Sequence, residues 1–117
     1  MADTNSRTIQ ISEETYQRLK DQLVKEGFAE INSLTDMIGK KFFFRTVTYH
    51  LTGRVKKVIG SILELEDAAW IADSGRFADA LKTGVLNEVE PCGTAFVNTN
   101  SLTDFFPWNH ALPMEQK

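Results

Sequence analysis

The first apolar stripe of the chain follows the period of an α-helix. Four residues fall on one side of this helix: Tyr16, Leu19, Leu23 and Val24. Ser12 suits the N-cap position, and Gly27 suits the left-handed position at which many helices end. The pattern therefore predicts an amphipathic helix over residues 12–26, preceded by a flexible N-terminal arm over residues 1–11.

The period changes from helical to alternating after Gly39. A short helical turn is predicted before this glycine, over residues 31–38. Aromatic and β-branched residues are concentrated over residues 41–49, and apolar residues recur on one face over residues 51–59. Both of these segments are therefore predicted to be strands.

A hairpin is predicted where Gly60 and Ser61 separate two apolar strands. Glycine tolerates the positive φ that a type II′ turn needs at its first position. The return strand over residues 62–66 is expected to turn its leucines inward and its glutamates toward the lysines of the preceding strand. An apolar strand over residues 68–72 then continues it.

A short helical insert is predicted after these strands. Asp73 or Ser74 can cap a helix that passes through Leu81 and ends at Gly84. The next extended segment leads to Pro91, which has no backbone N–H to donate within a sheet. This proline predicts that the segment is an edge strand.

The last apolar segments complete the predicted fold. Strands are expected over residues 95–97 and 102–106, and residues 107–117 are expected to form an extended C-terminal tail across a neighbour or the barrel end. We thus predict an α+β, mainly β protein: a small, five-stranded, strongly bent antiparallel barrel with an N-terminal amphipathic helix and a short helical insert. The barrel should occupy about residues 40–106, within a single domain over residues 12–106.

Three segments carry a resemblance to a known family: Thr52-Gly53-Arg54-Val55, Leu63-Glu64-Leu65-Glu66-Asp67-Ala68 and Phe96-Val97-Asn98-Thr99-Asn100. They look like the Gly-x-Val strand, the x-Leu-x-Leu-x-Asp-Ala strand and the terminal strand and turn of the Sm-like group of small SH3-type barrels. The resemblance implies the fold. It does not imply RNA binding, because the Arg-Gly pair of the group's last turn is replaced by Asn98 to Asn100, and its uracil-stacking Asp-x-x-x-Asn loop is missing.

Ten residues carry a second resemblance: Arg45, Thr46, Thr48, Gly53, Val55, Leu65, Asp67, Ala68, Ile71 and Gly84. Their pattern is similar to that of uncharacterised domains of phage and prophage proteins. This resemblance implies a viral origin, with the protein in the cytoplasm of a bacterial host cell or in the virion.

Composition narrows the class of protein. The chain has 117 residues, 42% of them hydrophobic and 25% charged, which suits one globular domain. Its net charge is −3, so its summed field would repel a nucleic-acid backbone unless basic groups gather on one surface. Cys92 is the single cysteine, and no apolar run is long enough to cross a membrane. We expect a soluble protein with no membrane partner.

The sequence predicts neither a catalytic site nor a metal site. Nucleophilic catalysis needs a Ser, Cys or Thr beside a base that a third group orients, and no such motif accompanies His50 or His110. A metal site needs three or four ligands with recognisable spacing, which one cysteine and two distant histidines do not supply. We therefore expect a non-enzymatic protein without cofactor or metal.

Five residues are candidates for ligand binding: Arg45, His50, Arg54, Trp70 and Arg76. The pairs Gly53-Arg54 and Gly75-Arg76 could each place backbone N–H groups and a guanidinium beside a phosphate. The structural alternative is that Gly53 relieves crowding in a bent strand and that Arg76 is a solvated side chain. Both interpretations stay open at this point.

The basic side chains of the predicted barrel gather on one ribbon. They are Arg45, Arg54, Lys56 and Lys57. Because the rest of the chain is acidic, a nucleotide or nucleic acid is expected to bind at this ribbon if it binds anywhere.

Self-association is expected from the aromatic residues of the first strand. Phe42, Phe43 and Phe44 should occupy both faces, so at least one ring is expected to be exposed in a monomer and covered by a subunit contact. Pairing of edge strands between copies would also satisfy backbone groups that an open barrel leaves exposed. We therefore expect a homo-oligomer with a ligand site at the subunit boundary.

Three functions fit these observations. The first is a non-enzymatic, phage-type homo-oligomeric binding module that binds a nucleotide or nucleic acid. The second is a structural or accessory (decoration) protein of a virion, fastened to virion proteins by its arm and tail. The third is a ribbon-helix-helix DNA-binding regulator, because residues 7–24 look like the opening of that module. The third requires a second helix that runs through Gly39 into the β-rich segment.

Overall fold

The computed structural model describes residues 31–117 of the chain. Four earlier residues are also described, all of them helical: Glu14, Thr15, Gln17 and Arg18. They fall within the helix predicted over residues 12–26. The rest of that helix and the arm predicted over residues 1–11 lie outside the described residues. The unit Asn32–Lys117 is described here by itself.

One antiparallel sheet of five strands dominates this unit. Its strands are β1 (Lys41–Thr46), β2 (His50–Ile59), β3 (Ile62–Asp73), β4 (Glu88–Asn98) and β5 (Leu102–Pro107), in the spatial order β4-β3-β2-β1-β5. A seven-residue helix, α1 (Phe77–Thr83), is inserted between β3 and β4. Short 3-10 helices cover Leu34–Met37 and Thr99–Ser101. The predicted mainly β fold with a helical insert is confirmed.

The sheet is strongly bent, and the 3-10 turn at Thr99–Ser101 is the reason. In a flat sheet, strands spaced about 4.8 Å apart would place β4 and β5 about 19 Å from each other. The turn joins them over roughly 8 Å, since a 3-10 helix rises about 2 Å per residue. Both the backbone N–H and the hydroxyl of Thr99 donate to the carbonyl of Ser61, at 2.8 Å each, and hold the turn against the β2–β3 hairpin.

The predicted five-stranded barrel does not close. β4 and β5 are neighbours along the chain but lie at opposite edges of the sheet and do not pair with each other, so the expectation that they form the last strand pair is wrong. The three-residue turn brings the two edges close at the corner where it joins them. The result is an open, curled sheet with two edge strands.

The strands present two faces, which we name after two residues of β1. Side chains alternate between the faces of a strand, so Phe43 lies on one face (the Phe43 face) and Phe42 and Phe44 on the other (the Phe44 face). All three rings are buried, with exposed fractions of 2%, 0% and 0% for Phe42, Phe43 and Phe44. Phe105 packs against both Phe42 and Phe44, with centroids 5.4 and 6.0 Å away. The prediction that one of the three is exposed in a monomer is therefore wrong, because both faces are covered.

The Phe43 face is covered by α1 and by residues 108–117. Eight buried residues form the cluster on this face: Phe43, Ala69, Ile71, Ala80, Leu86, Val89, Trp108 and Leu112. Trp108 is 1% exposed, and its indole N–H donates to the carbonyl of Ala111 at 3.2 Å. The hydrophobic core on this face thus includes side chains from residues 108–117.

Residues 108–117, called the strap below, cross this face from one edge of the sheet to the other. The strap leaves the end of β5, and its Trp108 N–H donates to the carbonyl of Lys41 at 3.0 Å. His110 contacts the carbonyl of Leu81 at 2.7 Å through Nε2, and Lys41 donates to the carbonyl of His110 at 2.6 Å. At its far end Lys117 exchanges two backbone hydrogen bonds with Val89 of β4, at 3.0 and 3.1 Å. The segment predicted as an extended tail packs on its own domain.

Several local predictions are confirmed. Ile59 pairs with Ile62 around Gly60, which has φ +59°, as the two-residue hairpin requires. Pro91 lies in β4, an edge strand. α1 ends at Gly84, which has φ +77°.

Several boundaries differ from the predictions. The strands predicted over residues 62–66 and 68–72 form one strand, β3, and β4 begins well before the strand predicted over residues 95–97. β1 stops at Thr46 and not at residue 49, because the Thr46 hydroxyl donates to the carbonyl of Tyr49 and turns the chain. The N-cap of α1 is Arg76 and not Asp73 or Ser74, since the Asp73 carboxylate accepts from the N–H of Gly75 in a turn before the helix.

Candidate functional site

The five predicted site residues do not form one site. Arg45 and His50 are directly opposite each other on β1 and β2. Arg54 lies at the other end of this ribbon, opposite Glu66. Trp70 is opposite Leu51, and Leu51 is opposite Phe44. Trp70 therefore lies on the Phe44 face, whereas Arg45, His50 and Arg54 lie on the Phe43 face. Only Arg45 and His50 are brought together by the sheet.

Arg45 forms a bidentate ion pair with Asp104 of β5. Its Nε and Nη2 atoms donate to the two carboxylate oxygens at 2.7 and 2.6 Å. These hydrogen bonds hold the pKa of Asp104 below its ordinary value and raise the pKa of Arg45. Both side chains are about one-third exposed, so water screens the pair and its contribution to stability is modest.

Two aromatic rings also contact the Arg45 guanidinium. Its central carbon lies 4.2 Å from the ring centroid of Phe77 and 5.3 Å from that of Phe106. The two rings pack edge to face, 5.0 Å apart. Together with the ion pair, these contacts fix the guanidinium in one orientation. Arg45 is therefore held by its own domain and has little freedom to turn toward a phosphate.

The sequence did not predict a role for Asp104, Phe77 or Phe106. The Arg45–Asp104 pair joins residues 59 positions apart, which local patterns do not detect. The signal that could have found it is the alternation of β5. Asp104 and Phe106 are two residues apart and lie opposite Arg45 and Phe43 once β5 is placed beside β1.

His50 stands beside this group on the Phe43 face. Its ring lies 5.6 Å from that of Phe43, and its Nδ1 atom is buried without a hydrogen-bond partner among the described residues. The hydroxyl of Thr52, two positions along the same face, is buried and unpartnered in the same way. Two orphaned polar atoms therefore lie on neighbouring same-face positions of β2.

The two arginines of the basic ribbon have acidic neighbours. Arg54 Nη1 donates to Asp67 at 3.0 Å and lies 3.7 Å from Glu66. Asp67 occupies a bulge in β3, where its φ is +52°. Lys57 is directly opposite Glu64 in the β2–β3 register, but no ion pair within residues 31–117 involves Lys56 or Lys57. The arginines are therefore not free cations, and the unpaired charge of the ribbon is that of its two lysines.

The glycine and arginine pairs favour the structural alternative. A Cβ added at Gly53 would lie 3.1 Å from Leu65 Cδ1, so glycine at this place does relieve crowding. Arg76 is exposed at the N-cap of α1. Neither pair brings a guanidinium and a set of backbone N–H groups to one point.

A shallow depression of about 390 Å³ lies between the β1–β2 turn and the 3-10 turn. It is lined by Thr46, Val47, Thr48, Tyr49, Asn100, Ser101, Leu102 and Thr103. The lining carries hydroxyls and one amide and no charged side chain. The Thr46 hydroxyl is already used inside the β1–β2 turn, where it accepts from the N–H of Tyr49 at 3.0 Å.

The two edge strands are the most open part of the sheet. Along the outer edge of β4, within residues 31–117, only Val89 has a backbone partner, and the outer edge of β5 has none. Each edge carries an exposed aromatic ring: Phe96 in β4 is 62% exposed and Phe105 in β5 is 42% exposed. Trp70, 42% exposed, lies opposite Glu90 of β4. Exposed aromatic rings on open strand edges are typical of contact surfaces.

Two further kinds of site were sought in the part of the chain that the structure describes. It contains no cluster of three or more His, Cys, Asp or Glu side chains placed to hold a metal ion. It also contains no helix of the length and apolarity needed to span a membrane.

Known proteins resemble the chain only in the path of the backbone. No family model and no curated protein matches it. A heptameric archaeal Sm protein matches with a TM-score of 0.46 and 24% identity, over 63% of this chain and 93% of that chain. The SmAP1 heptamer of P. aerophilum matches with 0.47 and 24%, over 63% and 85%. A chain of the NatC complex bound to CoA matches with 0.48 and 18%, over 67% and 87%. Similarity at this level does not extend to ligands or assembly.

Proposed function

We propose that the protein is a non-enzymatic binding module that forms a homo-oligomer by pairing β4 of one copy with β5 of the next. The supporting observation is the pair of open edges in one curled sheet. A single copy leaves backbone N–H and C=O groups exposed along both edges, and pairing with a partner strand satisfies them. Head-to-tail pairing uses both edges of every copy and forms a ring where the rotation between copies closes, whereas β4–β4 pairing would leave each β5 open.

A nucleotide or nucleic acid is the proposed ligand, at the boundary between copies. Trp70 beside β4 and Phe105 in β5 offer exposed flat rings on which bases can stack. The arginines offer little attraction for phosphate groups, because Arg45 and Arg54 are paired with carboxylates. Stacking is therefore the expected source of affinity, and the affinity should depend only weakly on salt concentration.

The mass of the purified protein in solution tests the assembly. Sedimentation equilibrium in reducing buffer, over a range of concentrations, should give an integral multiple of the 13.2 kDa chain. Thr103→Lys places a charge at an exposed position of β5, and Val85→Lys makes an equally exposed change outside the sheet. We expect the first variant to dissociate at concentrations where the second stays assembled. A wild-type protein that is monomeric throughout would refute the proposal.

Binding of short single-stranded oligonucleotides and of mononucleotides tests the ligand. Quenching of tryptophan fluorescence should report stacking on Trp70, because Trp108 is buried away from solvent. Trp70→Ala should abolish the binding, and Trp70→Phe should keep part of it, as measured by fluorescence anisotropy of a labelled oligonucleotide, because both variants lack the reporting tryptophan. If neither ligand class binds the assembled protein, the ligand proposal is wrong and the assembly proposal stands.

The other two functions stay predictions from the sequence. The virion role concerns an arm that lies outside the described residues and partner proteins that nothing above identifies. The ribbon-helix-helix regulator needs a helix through Gly39, where the described chain instead has φ +87° and begins β1 two residues later.

A further inference from the structure

We infer that a partner strand docks only on residues 95–98 of β4, with Phe96 as the anchoring side chain, because the strap and an irregular segment close the rest of this edge. The inference rests on the proposed assembly through edge strands. It specifies which half of β4 pairs with a second copy. The element of the second copy that fits this half is β5.

The strap occupies the beginning of the β4 edge. Val89 donates to the carbonyl of Lys117 at 3.1 Å and accepts from its N–H at 3.0 Å, so its outward backbone groups are used. The amide of Gln116 lies 3.5 Å from the Glu90 carboxylate. A partner strand could pair at this place only if the end of the strap were displaced.

The middle of β4 is unsuited to pairing for a second reason. Pro91 has no N–H to donate. Pro91 and Gly93 are opposite the consecutive residues Ala69 and Ala68, so Cys92 is an extra residue in β4. Gly93 has φ +78°. An irregular segment with a missing donor interrupts any ladder that a partner could form there.

The second half of β4 has the regular geometry that a partner strand needs. Residues 95–98 pair one by one with residues 62–65 of β3. The outer edge of Phe96 has no backbone partner within residues 31–117, whereas the carbonyl of Asn98 accepts from the Ser101 hydroxyl at 2.7 Å. Gly93 belongs to the irregular segment, so the regular open run of β4 is residues 95–98 and is shorter than β5, Leu102–Pro107. A strand of the length of β5 can cover the whole of this run.

Phe96 is the side chain that a docked strand would cover. It is 62% exposed, whereas its neighbour Val97 is 2% exposed in the core. Glu64, opposite Phe96 on β3, does not bury the ring. A large exposed ring at the centre of the only regular open segment of β4 has the position of an interface anchor. The occupant we assign is β5 of a second copy, because β5 supplies an open edge long enough to cover this segment and its own exposed ring, Phe105.

Truncation of the anchor tests the docking segment. Phe96→Ala should weaken self-association at least tenfold, measured by sedimentation equilibrium in reducing buffer, since Cys92 is exposed. Met114→Ala is the matched control, because Met114 is 64% exposed and lies on the strap and not in an edge strand. The control should associate as the wild type does. Far-ultraviolet circular dichroism of both variants verifies that the sheet is intact.

A second pair of variants tests the closing role of the strap. Lys117→Pro removes the N–H that donates to Val89, while Lys117→Ala keeps it. We expect the proline variant to expose more of β4 and to form larger species at the same concentration, and the alanine variant to behave as the wild type.

The outcomes separate the inference from the proposed function. If the wild type assembles and Phe96→Ala assembles equally well, the docking segment is wrong while edge pairing stands. If the proline variant matches the wild type in size, the strap does not restrict the edge and the inference fails. A wild-type protein that never assembles overturns both proposals.

Discussion

Trp108→Ala tests whether the strap belongs to the folded core. Trp108 is 1% exposed, packs 5.7 Å from the ring of Phe43 and donates one hydrogen bond to Ala111. Removing a buried tryptophan side chain typically costs about 3–5 kcal/mol, from lost transfer free energy and the cavity left behind. A domain of this size is stable by roughly 5–15 kcal/mol, so the variant should fold but with much of its stability lost.

Urea unfolding, followed by far-ultraviolet circular dichroism, measures this loss. With a slope of about 2 kcal/mol per molar urea, a loss of about 4 kcal/mol lowers the unfolding midpoint by roughly 2 M. Circular dichroism is preferred to fluorescence, because the substitution removes one of the two tryptophans of the chain.

Met114→Ala is the control for this experiment. Met114 lies on the same strap but is 64% exposed, so its truncation should change the free energy of unfolding by less than about 0.5 kcal/mol. If Trp108→Ala unfolds within about 0.5 kcal/mol of the wild type, the strap is not part of the core, and the packing described above is refuted.

Three further changes have defined outcomes in the same assay. Gly84→Ala should lower the free energy of unfolding by about 1–3 kcal/mol, because Gly84 has φ +77° and an added Cβ would lie 2.6 Å from a histidine ring of the strap. Gly39→Ala is the control, since Gly39 has φ +87° but open space around it, and it should lose less stability. Equal losses would contradict the clash. Thr52→Val removes a buried hydroxyl that has no hydrogen-bond partner among residues 31–117, and it should stabilise the fold by about 1 kcal/mol. Thr46→Val removes a hydroxyl that is hydrogen-bonded to Tyr49, and it should destabilise the fold. If Thr52→Val destabilises more than Thr46→Val, the hydroxyl of Thr52 is satisfied. The pKa of Asp104 is lower in the folded protein than in the unfolded chain, so the carboxylate adds stability above its ordinary pKa, and this stability is lost as pH falls through the folded pKa. The difference in urea midpoint between wild type and Asp104→Asn should therefore be largest at neutral pH and vanish in acid. A difference that does not change with pH would exclude the ion pair as its cause.

Local features of this fold were predictable from the sequence because their causes are local. The hairpin at Gly60 needs one residue with positive φ between two strands, and Gly84 ends α1 for a similar reason. Pro91 marked an edge strand because a missing N–H is a property of one residue. Each of these signals lies within a few residues of the structure that it sets.

Features that depend on distant pairing were not predictable. β5 returns to β1 and covers Phe42 and Phe44, so a row of aromatic residues expected to be partly exposed is buried on both faces. The strap folds back for the same reason: the cluster around Trp108 draws its members from β1, β3, α1 and β4 as well. No local pattern contains this information.

In the candidate site, too, only the features with local causes were predictable from the sequence. Arg45 and His50 were both predicted as site residues, but their pairing was not, because the strand predicted over residues 41–49 runs past the turn at Thr46 that fixes the register. The acidic partner of Arg45 comes from β5 and decides what the arginine does, since a guanidinium in a bidentate ion pair is not available to a ligand. Residue type and ribbon position therefore located a cluster but not its role.

The position of β5 in the sheet has a consequence for how the chain is made. β5 is the last strand in sequence, yet it is the strand that covers one side of β1, the first. Ring contacts such as that of Phe42 with Phe105 form only after the intervening hairpins are in place, because a long loop must close first. During synthesis on the ribosome, three consecutive phenylalanines stay uncovered until most of the chain has emerged, which is the stage at which a nascent sheet is most prone to aggregate.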